Sequence, residues 1–111
     1  PTLPQEIYTY GFTPQANQGA KNPKFKAQNC FGLDLSTTKK LNEINLNWLI
    51  DAYRVSQNKK DFFNSFFLKL SGTSLLQEQI QQGLTQKQIK ATWQQGLQKY
   101  NTMRKNYLLY K

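Results

Sequence analysis

Asn29-Cys30-Phe31-Gly32-Leu33-Asp34-Leu35 alternates, whereas Asn45-Leu46-Asn47-Trp48-Leu49-Ile50-Asp51-Ala52-Tyr53 does not. In the first stretch Phe31, Leu33 and Leu35 share one face, and Cys30, Gly32 and Asp34 share the other. That is the period-2 pattern of a strand. Gly32 points to a bulge or to the close approach of another backbone. In the second stretch Leu46, Leu49, Ile50 and Tyr53 stand at i, i+3, i+4 and i+7. This spacing gives an amphipathic helix, with Asn45 as its N-cap. The change of period places the chain in the α+β class.

Working outward toward the N-terminus, residues 6–12 alternate again. Tyr8, Tyr10 and Phe12 fall on one face, with Ile7, Thr9 and Gly11 on the other. Thr13-Pro14 ends that strand. Residues 14–28 carry Pro, Gly, Asn, Gln and Lys with few apolar side chains. They read as a long loop, and loops of that length in compact domains are often functional. Toward the C-terminus, Phe62, Phe63, Phe66 and Phe67 sit so close together that burial is expected, on a helix packed against the sheet. Ser71-Gly72-Thr73 is a turn. Thr73 can cap a short helix carrying Leu75, Leu76 and Ile80, which Gly83 ends. Thr85, with Gln88 three residues on, makes a capping box. The last helix then carries a stripe of Ile89, Trp93, Leu97, Tyr100 and Met103. Tyr107-Leu108-Leu109-Tyr110 closes the chain as a short β-like segment. The resulting expectation is a single domain over residues 1–111. It has a small antiparallel sheet, with strands near 6–12, 29–35 and 107–110, covered by about four helices. Phe31, Leu33, Trp93 and Leu97 read as core.

Composition narrows the chemistry. The 111 residues hold 15 Lys and Arg against 6 acids, a net charge of +9. Such a balance attracts nucleic acid, anionic lipid or an acidic glycan, or simply solvates the surface. The charge, together with Tyr and Phe, opens a reading as a basic nucleic-acid-binding module. Against it, Arg is confined to Arg54 and Arg104, the lysines are dispersed, and no aromatic-basic motif of a known binder is present. The absence of His removes the commonest metal ligand and general base. The lone Cys30 cannot form an internal disulfide and reads as a small buried hydrophobe. The acids are not clustered as a calcium loop requires, and no Gly-rich phosphate loop precedes a helix. Neither a metal nor a cofactor is expected. No apolar run approaches the roughly 20 residues of a membrane span. No signal peptide is visible and the chain begins at Pro1, which reads as a fragment or a processed product. A carboxylate pair is the remaining classical route to catalysis. Of Glu6, Asp34, Glu43, Asp51, Asp61 and Glu78, only Asp34, in a strand beside Gly32, is a catalytic candidate; the others read as solvated surface.

Four ordered elements carry a resemblance that spans residues 12–110. Asn22-Pro23-Lys24-Phe25 leads to Cys30-Phe31-Gly32-Leu33-Asp34-Leu35. Phe67-Leu68-Lys69-Leu70-Ser71-Gly72-Thr73 follows, with Leu76 beyond it. Gly83, Ile89, Trp93-Gln94 and Leu97 come next. Arg104-Lys105-Asn106-Tyr107-Leu108-Leu109-Tyr110 ends the chain. This order resembles the C-terminal domain of the NamZ-type exo-β-N-acetylmuramidases. It departs at Ser36-Thr37-Thr38, where some family members carry a His.

The resemblance implies a parent glycosidase that removes N-acetylmuramic acid from the non-reducing ends of peptidoglycan fragments. It implies a Rossmann-like N-terminal catalytic domain, which this chain lacks, as partner of an accessory domain that closes the substrate cleft. It also implies an extracytoplasmic, periplasmic or secreted, location. The chain alone is expected to be inactive, and a purely structural interdomain scaffold with no ligand contact is the alternative to a cleft-shaping role. Within that frame Tyr8, Tyr10 and Phe12 form either core or a platform for a sugar ring. Asn22, Lys24 and Lys26 supply donors and charge beside it. Arg104 either caps a helix through the macrodipole or holds the lactyl carboxylate of muramic acid in a bidentate contact. Tyr107 completes the expected substrate contacts.

Overall fold

The computed structural model describes residues 2–110. In chain order the elements are β1 (Tyr10–Phe12), β2 (Cys30–Gly32), α1 (Asn47–Val55), α2 (Phe67–Ser71), α3 (Leu75–Gln81) and α4 (Gln86–Arg104), then a 3₁₀ turn, Lys105–Tyr107. They fall into two compact units, Pro1–Asn64 and Ser65–Lys111. The α+β class holds. Of the four helices, only α1 belongs to the sheet's unit; α2, α3 and α4 form the other. No helix of the described residues is long and apolar enough to cross a membrane.

In the first unit β1 and β2 pair antiparallel, with Tyr10 opposite Gly32 and Phe12 opposite Cys30. Both strands are shorter than the alternation suggests, because local hydrogen bonds take the flanking backbone out of the ladder. The Pro4 carbonyl accepts from the Ile7 and Tyr8 N–H groups at 3.3 and 3.0 Å, folding the residues before β1 into a turn. Beyond β2, Asp34 Oδ1 accepts from the Ser36 N–H at 2.9 Å, and the Leu35 carbonyl accepts from Thr38. Gly32 is needed for a side chain rather than a bulge: a Cβ there would stand 3.2 Å from the Phe12 ring. Tyr8, Cys30, Leu46 and Ile50 are the buried hydrophobic residues of this unit. The α1 stripe falls as its spacing requires, with Leu49 and Tyr53 half-buried beside Leu46 and Ile50. Asn45 Oδ1 accepts from the Asn47 N–H at 2.9 Å, one residue before the position an N-cap would take. Phe62 and Phe63 are not helical. They sit in turns against the Tyr53 ring, with centroids 5.4 and 5.6 Å away. Phe31 is half-buried and Leu33 is exposed, so neither is the core residue that the alternation suggested.

In the second unit the glycine stops and the capping box of α4 work as read, but the start of α3 does not: Ser74 is its N-cap, without a side-chain cap bond, and Thr73 Oγ1, one residue earlier, accepts from the Leu75 N–H at 3.2 Å. Gly72 and Gly83 take left-handed φ values of 73° and 82°, and each closes a helix. The Gly83 and Leu84 N–H groups return to the Ile80 and Gln79 carbonyls. At the start of α4 the capping box is complete. Gln88 N–H donates to Thr85 Oγ1 at 3.3 Å, and Thr85 N–H donates to Gln88 Oε1 at 2.9 Å. Ile80 and Ile89 are the fully buried side chains. Buried Gln79 donates through Nε2 to Thr92 Oγ1 at 3.2 Å, linking α3 to α4. Two further expectations fail here. Leu97 is exposed, not core. Residues 107–110 are not a strand: the helical backbone runs on through Tyr107, and Leu108 turns extended with no strand beside it. An extended segment with no paired neighbour gains no ladder.

Candidate functional site

The loop over residues 14–28 is built from its own hydrogen bonds. Ala27 N–H donates to the Pro14 carbonyl at 2.9 Å and so ties the two ends together. Asn17 Oδ1 accepts from Gly19 and Ala20 N–H groups at 2.9 and 2.8 Å, an Asx turn. The Pro23 and Phe25 carbonyls accept from Lys26 and Gln28. Phe25 and Ala27 take φ values of 59° and 60°. For residues with a Cβ that conformation costs about 1–2 kcal/mol each. Strain of this kind, held by surrounding bonds, is where a functional demand on position is looked for.

Phe25 is half-buried, and the Lys24 ammonium lies 5.1 Å from its ring centroid. Together they form a ridge between two clefts of the first unit. One cleft, of about 260 Å³, is walled by Phe12, Pro14, Cys30 and Phe31. The other, of about 230 Å³, is walled by Phe62 and by polar groups of Ser56, Asn58 and Asp61. There Asn58 Nδ2 donates to Asp61 Oδ2, and Ser56 Oγ donates to the Asn58 carbonyl. Lys24, Phe25, Thr2 and Leu3 line both clefts. Apolar walls next to a few convergent donors and acceptors suit a ligand with a C–H face and hydroxyl edges.

A third cavity, of about 160 Å³, lies among Ile7, Tyr8, Leu33, Leu35, Trp48 and Asp51. Burial, with a smaller contribution from the Asp51 carboxylate, pushes the Tyr8 phenol above its ordinary value. This phenol therefore stays protonated as a donor. Asp34 is fully exposed. The Ser36 backbone N–H, followed by the Ser36 side chain, holds its carboxyl below the usual range. It is an ionised turn anchor at neutral pH and has no proton to donate as a general acid.

The residues expected at a site are thus dispersed. Tyr8 is buried while Tyr10 and Phe12 are exposed, so the three do not form one platform. The Tyr10 and Phe12 rings lie 6.4 Å apart at 32°. Phe12 and Lys24 do meet in one cleft. Asn22 and Lys26 are exposed in the same loop and line neither cleft of the ridge. Arg104 and Tyr107 are exposed in the other unit, where Arg104 occupies the last turn of α4 and suits the helix dipole. Sequence reasoning gave Phe25, Ser56 and Asn58 no place at a site and read Asp61 as solvated surface. Asn58 and Asp61, three apart in a polar run just after α1, were the available signal. The left-handed turn at Phe25 leaves none, since no glycine marks it.

The model of the family "Exo-beta-N-acetylmuramidase NamZ, C-terminal" matches residues 5–110. The chain is also similar to the crystal structure of a DUF1343 family protein from Bacteroides fragilis, with 38% identity and a TM-score of 0.81. That likeness covers 94% of this chain and 31% of the other, so the chain spans about a third of the solved protein's length. No curated protein matches the chain significantly.

Proposed function

Because this chain belongs to the family of NamZ exo-β-N-acetylmuramidase C-terminal domains, we propose that it is the accessory domain of a glycoside hydrolase. The parent releases N-acetylmuramic acid from the non-reducing ends of peptidoglycan fragments, outside the cytoplasm. The observation that carries this reading is the family match, which runs over nearly the entire chain. In it the 111 residues serve as one domain, and a Rossmann-like N-terminal domain supplies the reacting carboxylates. The clefts on either side of Phe25 support the reading, since they offer an aromatic wall, hydroxyl and amide groups, and one ammonium. Lys24 is the cation beside those walls and answers the negative charge of the lactyl carboxylate. Asp34 anchors its turn as an ionised carboxylate and does not supply the proton to the leaving group.

The test is removal of this domain from the full-length protein, with release of N-acetylmuramic acid from a muramic-acid-terminated disaccharide as the readout. Release falls by about 10²-fold or more, the loss that follows misplacement of a bound substrate. Lys24→Gln in the intact protein raises KM. Unchanged release after removal of the domain would overturn the proposal.

A further inference from the structure

The apolar stripe of α4 does not stop where its burial stops. Ile89 is 0% exposed and Trp93 is half-buried. At the same helical spacing Leu97, Tyr100 and Met103 are 47%, 57% and 50% exposed, and beyond them Tyr107, Leu109 and Tyr110 reach 77%, 92% and 89%. Leu109 and Tyr110 make no hydrogen bond with another described residue. A contiguous row of large apolar side chains on an isolated polar surface marks an interaction site. Scattered exposed leucines would not, but these follow one helix face and its continuation.

We infer that this stripe and the tail after it are the docking surface for the polypeptide that precedes this domain in the intact protein. The inference rests on the reading of the chain as the C-terminal part of a longer protein. Two observations select this occupant. The family match extends to residue 110, so the exposed tail is part of the family's own domain rather than a ragged extension. The chain also covers only 31% of the solved relative, which leaves about two-thirds of such a protein outside it. The interface has the anatomy of a specific one: Tyr, Met and Leu at the centre, with Lys99, Arg104 and Lys105 exposed around them. The facing surface carries an apolar centre and acidic groups at its rim. Helix end and tail enter it together, and the backbone of Leu109 and Tyr110 gains there hydrogen-bond partners that it lacks among the described residues.

Hydroxyl-radical footprinting of the intact protein beside the 111-residue chain tests the assignment. Oxidation of Met103, Tyr107 and Tyr110 slows by about tenfold in the intact protein, because docking removes these side chains from solvent. Equal oxidation in both would overturn the inference. The variant Tyr107→Ser/Leu109→Ser lowers the thermal midpoint of the intact protein and leaves that of the 111-residue chain unchanged. An equal drop in both would mean that the tail packs within its own domain. Protection of the 111-residue chain that grows with its concentration would mean that a second copy is the occupant. Either result overturns the assignment. Muramidase activity is read separately: protection without activity removes the proposed substrate and leaves the interface standing.

Discussion

Ala27 is an alanine in a conformation that glycine adopts freely. Replacing alanine by glycine ordinarily destabilises, because glycine gives the unfolded chain about 0.4–1 kcal/mol more freedom. At residue 27 the left-handed backbone reverses the balance, since relief of about 1–2 kcal/mol of steric cost exceeds that loss. Ala27→Gly is therefore expected to be neutral or to stabilise by up to about 1 kcal/mol in urea unfolding. A loss of the ordinary size would mean that the loop carries no strain at this residue. Individual residues were unevenly legible in the sequence. Cys30 was read as buried, and it is. Tyr8 was grouped with Tyr10 and Phe12 by alternation. The Pro4 carbonyl, by capturing two N–H groups, rotates Tyr8 out of the strand and into the interior.

Glycine helix stops and the start of α4 were the most readable, because their chemistry is local; Asn45 and Thr73 each stand one residue before the N-cap position they were expected to fill. Thr85 and Gln88 need only each other's side chain and backbone, and Gly83 needs only its own φ. Thr85→Ala removes the acceptor of the Gln88 N–H. It should cost about 1 kcal/mol of stability, with fraying of the first turn of α4 visible in amide exchange. Thr85→Ser, which keeps the oxygen, should restore most of the loss. If alanine and serine behave alike, the box contributes nothing. Strand lengths were the least readable, because a strand depends on a neighbour that sequence spacing does not supply. The alternation over residues 29–35 is real, yet only Cys30–Gly32 finds a partner. Tyr107–Tyr110 has the composition of a strand and finds none. The ridge at Lys24 and Phe25 was half legible: the loop and its lysine stood out, but the two clefts that meet there depend on Ser56, Asn58 and Asp61 being brought to it by the fold.

For the molecule as a whole the dominant quantity is the charge of +9. Like charges repel most in the compact state, and about 0.1 M salt confines that repulsion to a Debye length of about 10 Å. The thermal midpoint of the chain should rise between low and physiological sodium chloride. A midpoint that falls would mean that favourable ion pairs outweigh the repulsion. The α+β class and the family were legible over almost the entire length, while the division into Pro1–Asn64 and Ser65–Lys111 was not. All four prolines lie before it and glutamine is denser after it, but the aromatic run 62–67 that straddles it reads as continuous. One further property belongs to the chain as a unit. Its single thiol, on Cys30, is almost wholly covered where β2 pairs with Phe12 of β1. At 4% exposure the thiol reacts slowly with a bulky reagent until the hairpin opens, so the rate of labelling by such a reagent is a clock for that opening. With no second cysteine to confuse the signal, the protein carries its own gauge of local unfolding, ready to be read without any engineered probe.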